Sequence, residues 1–262
     1  MNLSFKKDCH NHTKFCNHAS GKMEEYVFKA IKKGIKSFCF LEHLESGINL
    51  SKRLWMNEED IPIYLNICNN LKEKFKEKIE IKCGVELGFN PFAVSELMKK
   101  IEEYPFDPIG LSLHYKYIPQ LKRWINLVSV KNFDTDIFKF MTDDEITLDY
   151  INTLITALDF FTPDFICHLN AISKNIKFNL ENKEIEKSLK FLFKKMKQKN
   201  IDLEINLSGF DYTGEPFPNY KIIKMAKSFD LKFVLGSDSH SPEEVGKNFE
   251  KFKKYMENKK TN

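Results

Sequence analysis

Arginine is almost missing. Only Arg53 and Arg123 occur among 41 basic residues, so the planar guanidinium fork that usually grips phosphate is scarce. No apolar run approaches the roughly 20 residues of a membrane-spanning helix. The opening MNLSFKKDCHNH has no signal-peptide core, so a cytoplasmic protein with no membrane partner is expected. The six cysteines (Cys9, Cys16, Cys39, Cys68, Cys83 and Cys167) contain no C-x-x-C pair. That argues against a disulfide scaffold and for free thiols acting as small hydrophobes in a reducing compartment. No Pro/Gly/Ser-rich linker, solenoid-length repeat or low-complexity segment divides the chain, so residues 1–262 are expected to form one domain. The net charge is only +4. Its lysines recur in stretches such as EKFKEK and KFLFKKMKQK, which read as solvated helix faces. No basic stripe is present, so no nucleic-acid partner is expected.

What is present is an alternation. Short β-like runs (SFKKDCHNH, KSFCFLEH, IEIKCGVELGF, DPIGLSLHY, PDFICHL, IDLEINLSG, LKFVLGSDSH) are separated by amphipathic helical stretches. The first helix is expected near 21–33, with Ser20 as N-cap and Gly34 just past its end. The second spans about 58–77, with Ile61, Leu65, Cys68, Leu71 and Phe75 in one stripe. Others fall near 91–103, 143–160, 181–199, 218–229 and 241–257. Seven strand–helix units predict an α/β fold with a parallel sheet closed, or nearly closed, into a barrel. Segment 115–142 is too long for an ordinary loop and is either an insertion or a lid.

All seven histidines fall at or just past the end of one of these runs. His10 and His12 are two apart, which on a strand puts both on one side. His18 follows on a short loop. His43 closes FLEH, His114 lies in LSLH, His168 ends FICH and His240 ends GSDSH. Glu86 (in CGVE) and Asp238 hold equivalent places. In an α/β barrel, strand ends converge on one face, where active sites are built. A single histidine in such a place is usually a satisfied core residue; seven at equivalent places are better explained as ligands. Histidine with carboxylate suits Zn, Mn or Fe. Nine ligands are too many for one ion and enough for two or three divalent ions.

These motifs, DCHNHTKFCNHASG, LEH, GVE, YPFDPIGLSLH, ICH, LEINLSG, GEPFP and GSDSHSPEEVG, run in order over nearly the whole chain. Together they resemble the PHP (polymerase and histidinol phosphatase) superfamily, in its histidinol-phosphatase branch. The resemblance implies a distorted (β/α)7 barrel with a trinuclear metal site at the C-terminal ends of the strands. By matching motif it implies that His10, His12, Glu86 and Asp238 hold one ion. His18, His43 and His240 would hold a second, and Glu86 would bridge to a third held by His114 and His168. Asp8 is implied to orient a ligand histidine from behind. The implied reaction is hydrolysis of L-histidinol phosphate, a small phosphorylated substrate, by a metal-bound hydroxide, with Glu86, Asp238 and His240 as catalytic side chains. The family pattern places a basic residue after the Ser-Gly of LEINLSG, where this chain has Phe210, Asp211 and Tyr212. Lys116, Lys122 and Arg123 are the candidates to replace that charge, and Glu204 and Asn206 share the parity of a pocket-facing pair. Two other readings remain: a PHP phosphoesterase with a different substrate, and a metal-binding module without activity. Nothing in the sequence indicates an oligomeric state.

Overall fold

The computed structural model describes residues 3–259. Seven strands form one parallel sheet: β1 (Lys7–Asp8), β2 (Ser37–Leu44), β3 (Glu80–Gly88), β4 (Ile109–Ser112), β7 (Phe165–Ile166), β8 (Asp202–Asn206) and β9 (Phe233–Gly236), paired in that order. Helices α1 (Met23–Lys32), α2 (Ile61–Phe75), α3 (Val94–Glu103), α4 (Asp143–Phe160), α5 (Lys183–Gln198), α6 (Tyr220–Ser228) and α7 (Phe249–Asn258) pack outside it. The first and last strands meet. The Cys9 N–H donates to the Leu235 carbonyl at 2.8 Å, and Asn11 bridges Ser239 in parallel. The result is a distorted (β/α)7 barrel, distorted because β1 and β7 each have only two residues in register.

The strand pleat sorts side chains into two layers. On β2, Phe38 and Phe40 face the helices and join the main core, while Cys39 and Leu41 turn inward to meet Phe165 and Cys167. The helices obey the matching rule. The buried residues of α5 are Ile185, Leu189, Leu192, Phe193 and Met196, one continuous stripe. Local polar chemistry fixes the starts of the helices. Thr142 and Glu145 form a reciprocal capping box on α4, and the Asn219 side chain accepts from the Ile222 N–H on α6.

Several sequence expectations are corrected. Ser20 does not cap α1; its N–H donates to the His240 carbonyl, and the helix starts beyond Lys22, whose N–H donates to Glu25. The expected helix over 241–257 shortens to α7, because Gly246 and Asn248 adopt positive φ values of 64° and 63° and break it. Cys68 and Cys83 are not free: α2 lies on β3 with their Cα atoms 5.9 Å apart, and they form a disulfide. The other four cysteines are free thiols. Segment 115–142 holds an antiparallel hairpin, β5 (Tyr115–Ile118) with β6 (Arg123–Asn126), and a short 3-10 turn, Thr135–Lys139. Its Ile118, Ile125, Leu127 and Ile137 are buried in the main core. Among the described residues, no helix is long and apolar enough to cross a membrane.

Leu154, fully buried on α4, tests this packing. Leu154→Ala is expected to lower unfolding free energy by about 2–5 kcal/mol in urea denaturation; a change below about 1 kcal/mol would contradict a close-packed layer there.

Candidate metal centre

Parallel register assembles the site. His43 on β2 pairs with Glu86 on β3, which pairs with Gly110 on β4. A histidine and a carboxylate thus sit side by side on adjacent strands. His114 follows β4 and His168 follows β7. Barrel closure then brings His10 and His12 against Asp238 and His240, which follow β9.

Glu86 is the hub, with no exposed surface. Its Oε1 lies 2.7 Å from His168 Nε2 and 3.0 Å from His114 Nε2. Its Oε2 lies 2.8 Å from His43 Nδ1, 3.4 Å from His10 Nε2 and 3.6 Å from His12 Nε2. Asp238 Oδ1 is 3.1 Å from His12 Nε2. Ring nitrogens face each other in pairs: His10 with His12 at 3.0 Å, His18 with His240 at 3.0 Å, and His114 with His168 at 3.4 Å. Each such pair can share at most one proton, so lone pairs converge. Buried Glu86 Oε2 and His43 Nδ1, though 2.8 Å apart, make no well-directed hydrogen bond to each other or to any other group. A buried carboxylate oxygen and imidazole nitrogen left unsatisfied side by side call for a cation. Three triads, His12/His43/His240, His10/His12/Glu86 and His43/Glu86/His114, each bring their donor atoms within 4.8 Å of one another. Imidazole with carboxylate is a donor set for divalent metals, and the residues present fit such ions.

The electrostatics agree. Burial opposes ionisation of Glu86 and Asp238, yet the surrounding histidines hold both carboxyls well below the usual range. Burial keeps His12 and His18 neutral and pulls His43 and His240 down to about 3. These four imidazoles, neutral beside ionised carboxylates, are in their ligating forms, whereas, against the pull of burial, Glu204 pushes His10 up and Glu86 pushes His114 up. Two site residues have positive φ, His168 at 25° and Asp238 at 56°. Such backbone is sparsely populated for side-chain-bearing residues and concentrates at functional sites. Here it is held by the His168 N–H on Glu204 and the Asp238 N–H on the His10 carbonyl, at 2.8 and 2.9 Å.

A family model described as PHP domain matches residues 8–208, and one described as PHP-associated matches 216–258. The chain belongs to the PHP domain family. Curated relatives of this PHP domain include the histidinol-phosphatase of Lactococcus lactis, 28% identical over 90% of this chain and 84% of that protein. The histidinol-phosphatase of Bacillus subtilis is 23% identical over 94% of this chain and 98% of its own length. A solved structure from Listeria monocytogenes superposes with TM-score 0.84 at 22% identity, covering 94% and 99% of the two chains, and supports the fold. The crystal structure of L. lactis histidinol phosphate phosphatase, complexed with zinc, L-histidinol and phosphate, superposes with TM-score 0.75 at 26% identity over 90% and 86%.

The remaining candidates of the PHP domain separate. The Asp8 carboxylate touches no ligand imidazole. It accepts from Ser237 N and Oγ and from Gly246 N, so it anchors the turn that carries Asp238 and His240. Lys116, Lys122 and Arg123 do not line the cavity above the histidines. Lys116 pairs with Asp149, Arg123 pairs with Asp134 and Asp136, and Lys122 is exposed at the hairpin turn. Glu204 and Asn206 are fully buried beneath His10 rather than open to the cavity. That cavity, about 810 Å³, is instead lined by Lys174, Glu45, Tyr115, Tyr212 and Phe217, beside the histidines. A second cavity of about 1050 Å³ opens at the opposite barrel end, around Lys7, Cys9 and Leu235. Sequence reading missed Lys174 and Glu45; the only trace of either was position, six residues beyond His168 and two beyond His43.

The chelator-treated protein is expected to be most stable near pH 6.5. His43 and His240, with folded pKa values of about 3, contribute stability that is present above 6.5 and lost as pH falls. Burial works against protonated His114, but Glu86 and Glu45 push its pKa up to about 10, so its contribution is present below 6.5 and lost as pH rises. Thermal melts across this range check the two-sided decline; a flat profile would contradict it.

Proposed function

We propose that this chain is a metal-dependent histidinol-phosphatase, hydrolysing L-histidinol phosphate to L-histidinol and phosphate. The observation that carries the reading is the Glu86 hub, ringed by histidine nitrogens at 2.7–3.6 Å, buried beneath a cavity that His43, His114 and His168 line and that is large enough for a small phosphoester. Two or three divalent ions, Zn, Mn or Fe, would be held there. His10, His12, Glu86 and Asp238 would hold one, His18, His43 and His240 a second, and His114 and His168 with Glu86 a third. Such ions, when bound, supply Lewis acidity that activates water and neutralises phosphoryl charge. The similarity to the zinc-, histidinol- and phosphate-bound Lactococcus structure supports both substrate and cofactor.

Lys174 is the cation this reading assigns to phosphate. It is half-buried in the cavity wall and forms no ion pair among the described residues. Its Nζ lies 4.3 Å from the Tyr212 ring centroid and 5.4 Å from that of Phe217. Burial lowers its pKa while Asp238 and Glu86 oppose that, so it feels the carboxylates of the centre. Phe210, at the position after Ser-Gly, instead packs on Phe252 and Tyr255 in a small core. Lys247, also on the cavity wall, is engaged by Asp211 and Glu244. The charge missing after Ser-Gly is therefore supplied from the turn after His168.

Phosphate release from L-histidinol phosphate and from an aryl phosphate, with Mn- or Zn-loaded protein, tests the function. Strong preference for histidinol phosphate, abolished in Glu86→Gln, is expected; release from the aryl phosphate alone would reassign the substrate. Lys174→Ala is expected to raise KM roughly 10- to 100-fold, the size of a lost charge-assisted hydrogen bond, with Lys174→Arg largely restoring it. Unchanged KM in Lys174→Ala would remove that residue from phosphate binding.

A further inference from the structure

Two carboxylates outside the ligand set are built against its histidines. Glu45, just past β2, is 4% exposed, and its Oε1 lies 2.8 Å from His114 Nδ1. Glu204, on β8, has no exposed surface, and its Oε1 lies 2.8 Å from His10 Nδ1. Each occupies space that a strand glycine leaves open. A Cβ on Gly88 would collide with the Glu45 carboxylate, and a Cβ on Gly236 would collide with that of Glu204. Both histidines turn the opposite nitrogen, Nε2, toward Glu86, at 3.0 Å for His114 and 3.4 Å for His10. His18 and His240 show a weaker version of this arrangement. Their Nδ1 atoms meet the backbone carbonyls of Cys16 and Asp238, at 2.9 and 3.0 Å.

We propose that Glu45 and Glu204 are positioning residues. Each takes the Nδ1–H of one histidine, fixes its tautomer and ring angle, and leaves the Nε2 lone pair aimed at the centre. The physical basis is general. A neutral imidazole can ligate through Nε2 only when its proton is on Nδ1, and a carboxylate partner holds it there and raises ligand basicity. Glu204 does more, because its Oε2 also receives the His168 N–H at 2.8 Å. One carboxylate therefore orients the His10 ring and supports the strained backbone of His168. This inference rests on the metal-centre reading above.

Cobalt(II) titration of chelator-treated protein, read by d–d absorption, tests it, with zinc affinity measured by competition against a chromophoric chelator. The variants are Glu45→Gln and Glu204→Gln, which keep an acceptor oxygen, and Glu45→Ala and Glu204→Ala, which remove it. The alanine variants are expected to bind roughly 10- to 100-fold more weakly, with an altered cobalt spectrum. Glu45→Gln is expected to stay within about threefold of wild type, since its amide oxygen still accepts the His114 Nδ1–H, whereas Glu204→Gln, with one acceptor oxygen for the His10 and His168 donors, is expected to fall between wild type and Glu204→Ala. Near-UV circular dichroism checks folding. If an alanine variant does not fold, Glu45→Leu or Glu204→Leu fills the space without an acceptor and takes its place. A folded variant lacking the acceptor but showing wild-type affinity and spectrum would overturn the proposal. A Glu45→Gln variant that loses as much as Glu45→Ala would overturn it too. Wild-type protein that binds no cobalt would overturn the metal centre itself, and this inference with it.

Discussion

A carboxylate with no solvent contact sits at the centre of the barrel mouth, and everything around it answers that constraint. An ionised Glu86 in a low-dielectric interior is expensive unless compensated. Compensation comes from five histidines whose ring nitrogens lie within 3.6 Å of its oxygens. These imidazoles are themselves crowded, nitrogen against nitrogen, in a way that protons cannot fully satisfy. Divalent cations resolve both problems together. The same charge arrangement that makes the cation-free site a poor hydrogen-bond network makes it a good multi-donor nest for divalent cations.

The barrel is the device that delivers those groups to one place. Asp238 and His10 are far apart in sequence, yet the Asp238 N–H donates to the His10 carbonyl at 2.9 Å. The seam between β1 and β9 carries little regular pairing, so it needs other fastening. Asp8 supplies it by accepting from Ser237 and Gly246 across the seam, and Asn11 adds contacts with Ser237 and Ser239. Closure of the fold and assembly of the site are thus one event. An unbroken run of buried polar residues, His10 to Thr13, lies at that seam with buried Asp8 just before it.

Sequence pattern located the residues that cluster around Glu86 because strand ends are periodic landmarks. A histidine at each one survives several residues of uncertainty about where the strand stops. His10 and His12 illustrate this: β1 ends at Asp8, yet both still reach the centre through the extended segment beyond it. Helix faces were legible for the same reason of periodicity, down to the stripe from Ile61 to Phe75 on α2. What stayed hidden depended on side-chain reach across distant segments. Lys174 comes from a 3-10 turn with no pattern to mark it, whereas Lys116 and Arg123 sit on a hairpin whose acidic neighbours capture them. Glu45 looked like one more polar residue after LEH until Gly88 opened space for it. The Cys68–Cys83 disulfide required knowing that α2 lies directly on β3.

The most direct test of the central claim is anomalous diffraction from crystals grown with zinc or manganese, collected at the absorption edge of the metal. At least two anomalous peaks are expected, each within bonding distance, about 2.0–2.3 Å, of donors among the seven histidines, Glu86 and Asp238, with Glu86 shared between two of them. Absence of metal beside Glu86 in protein that diffracts well, or peaks confined to surface carboxylates, would contradict it.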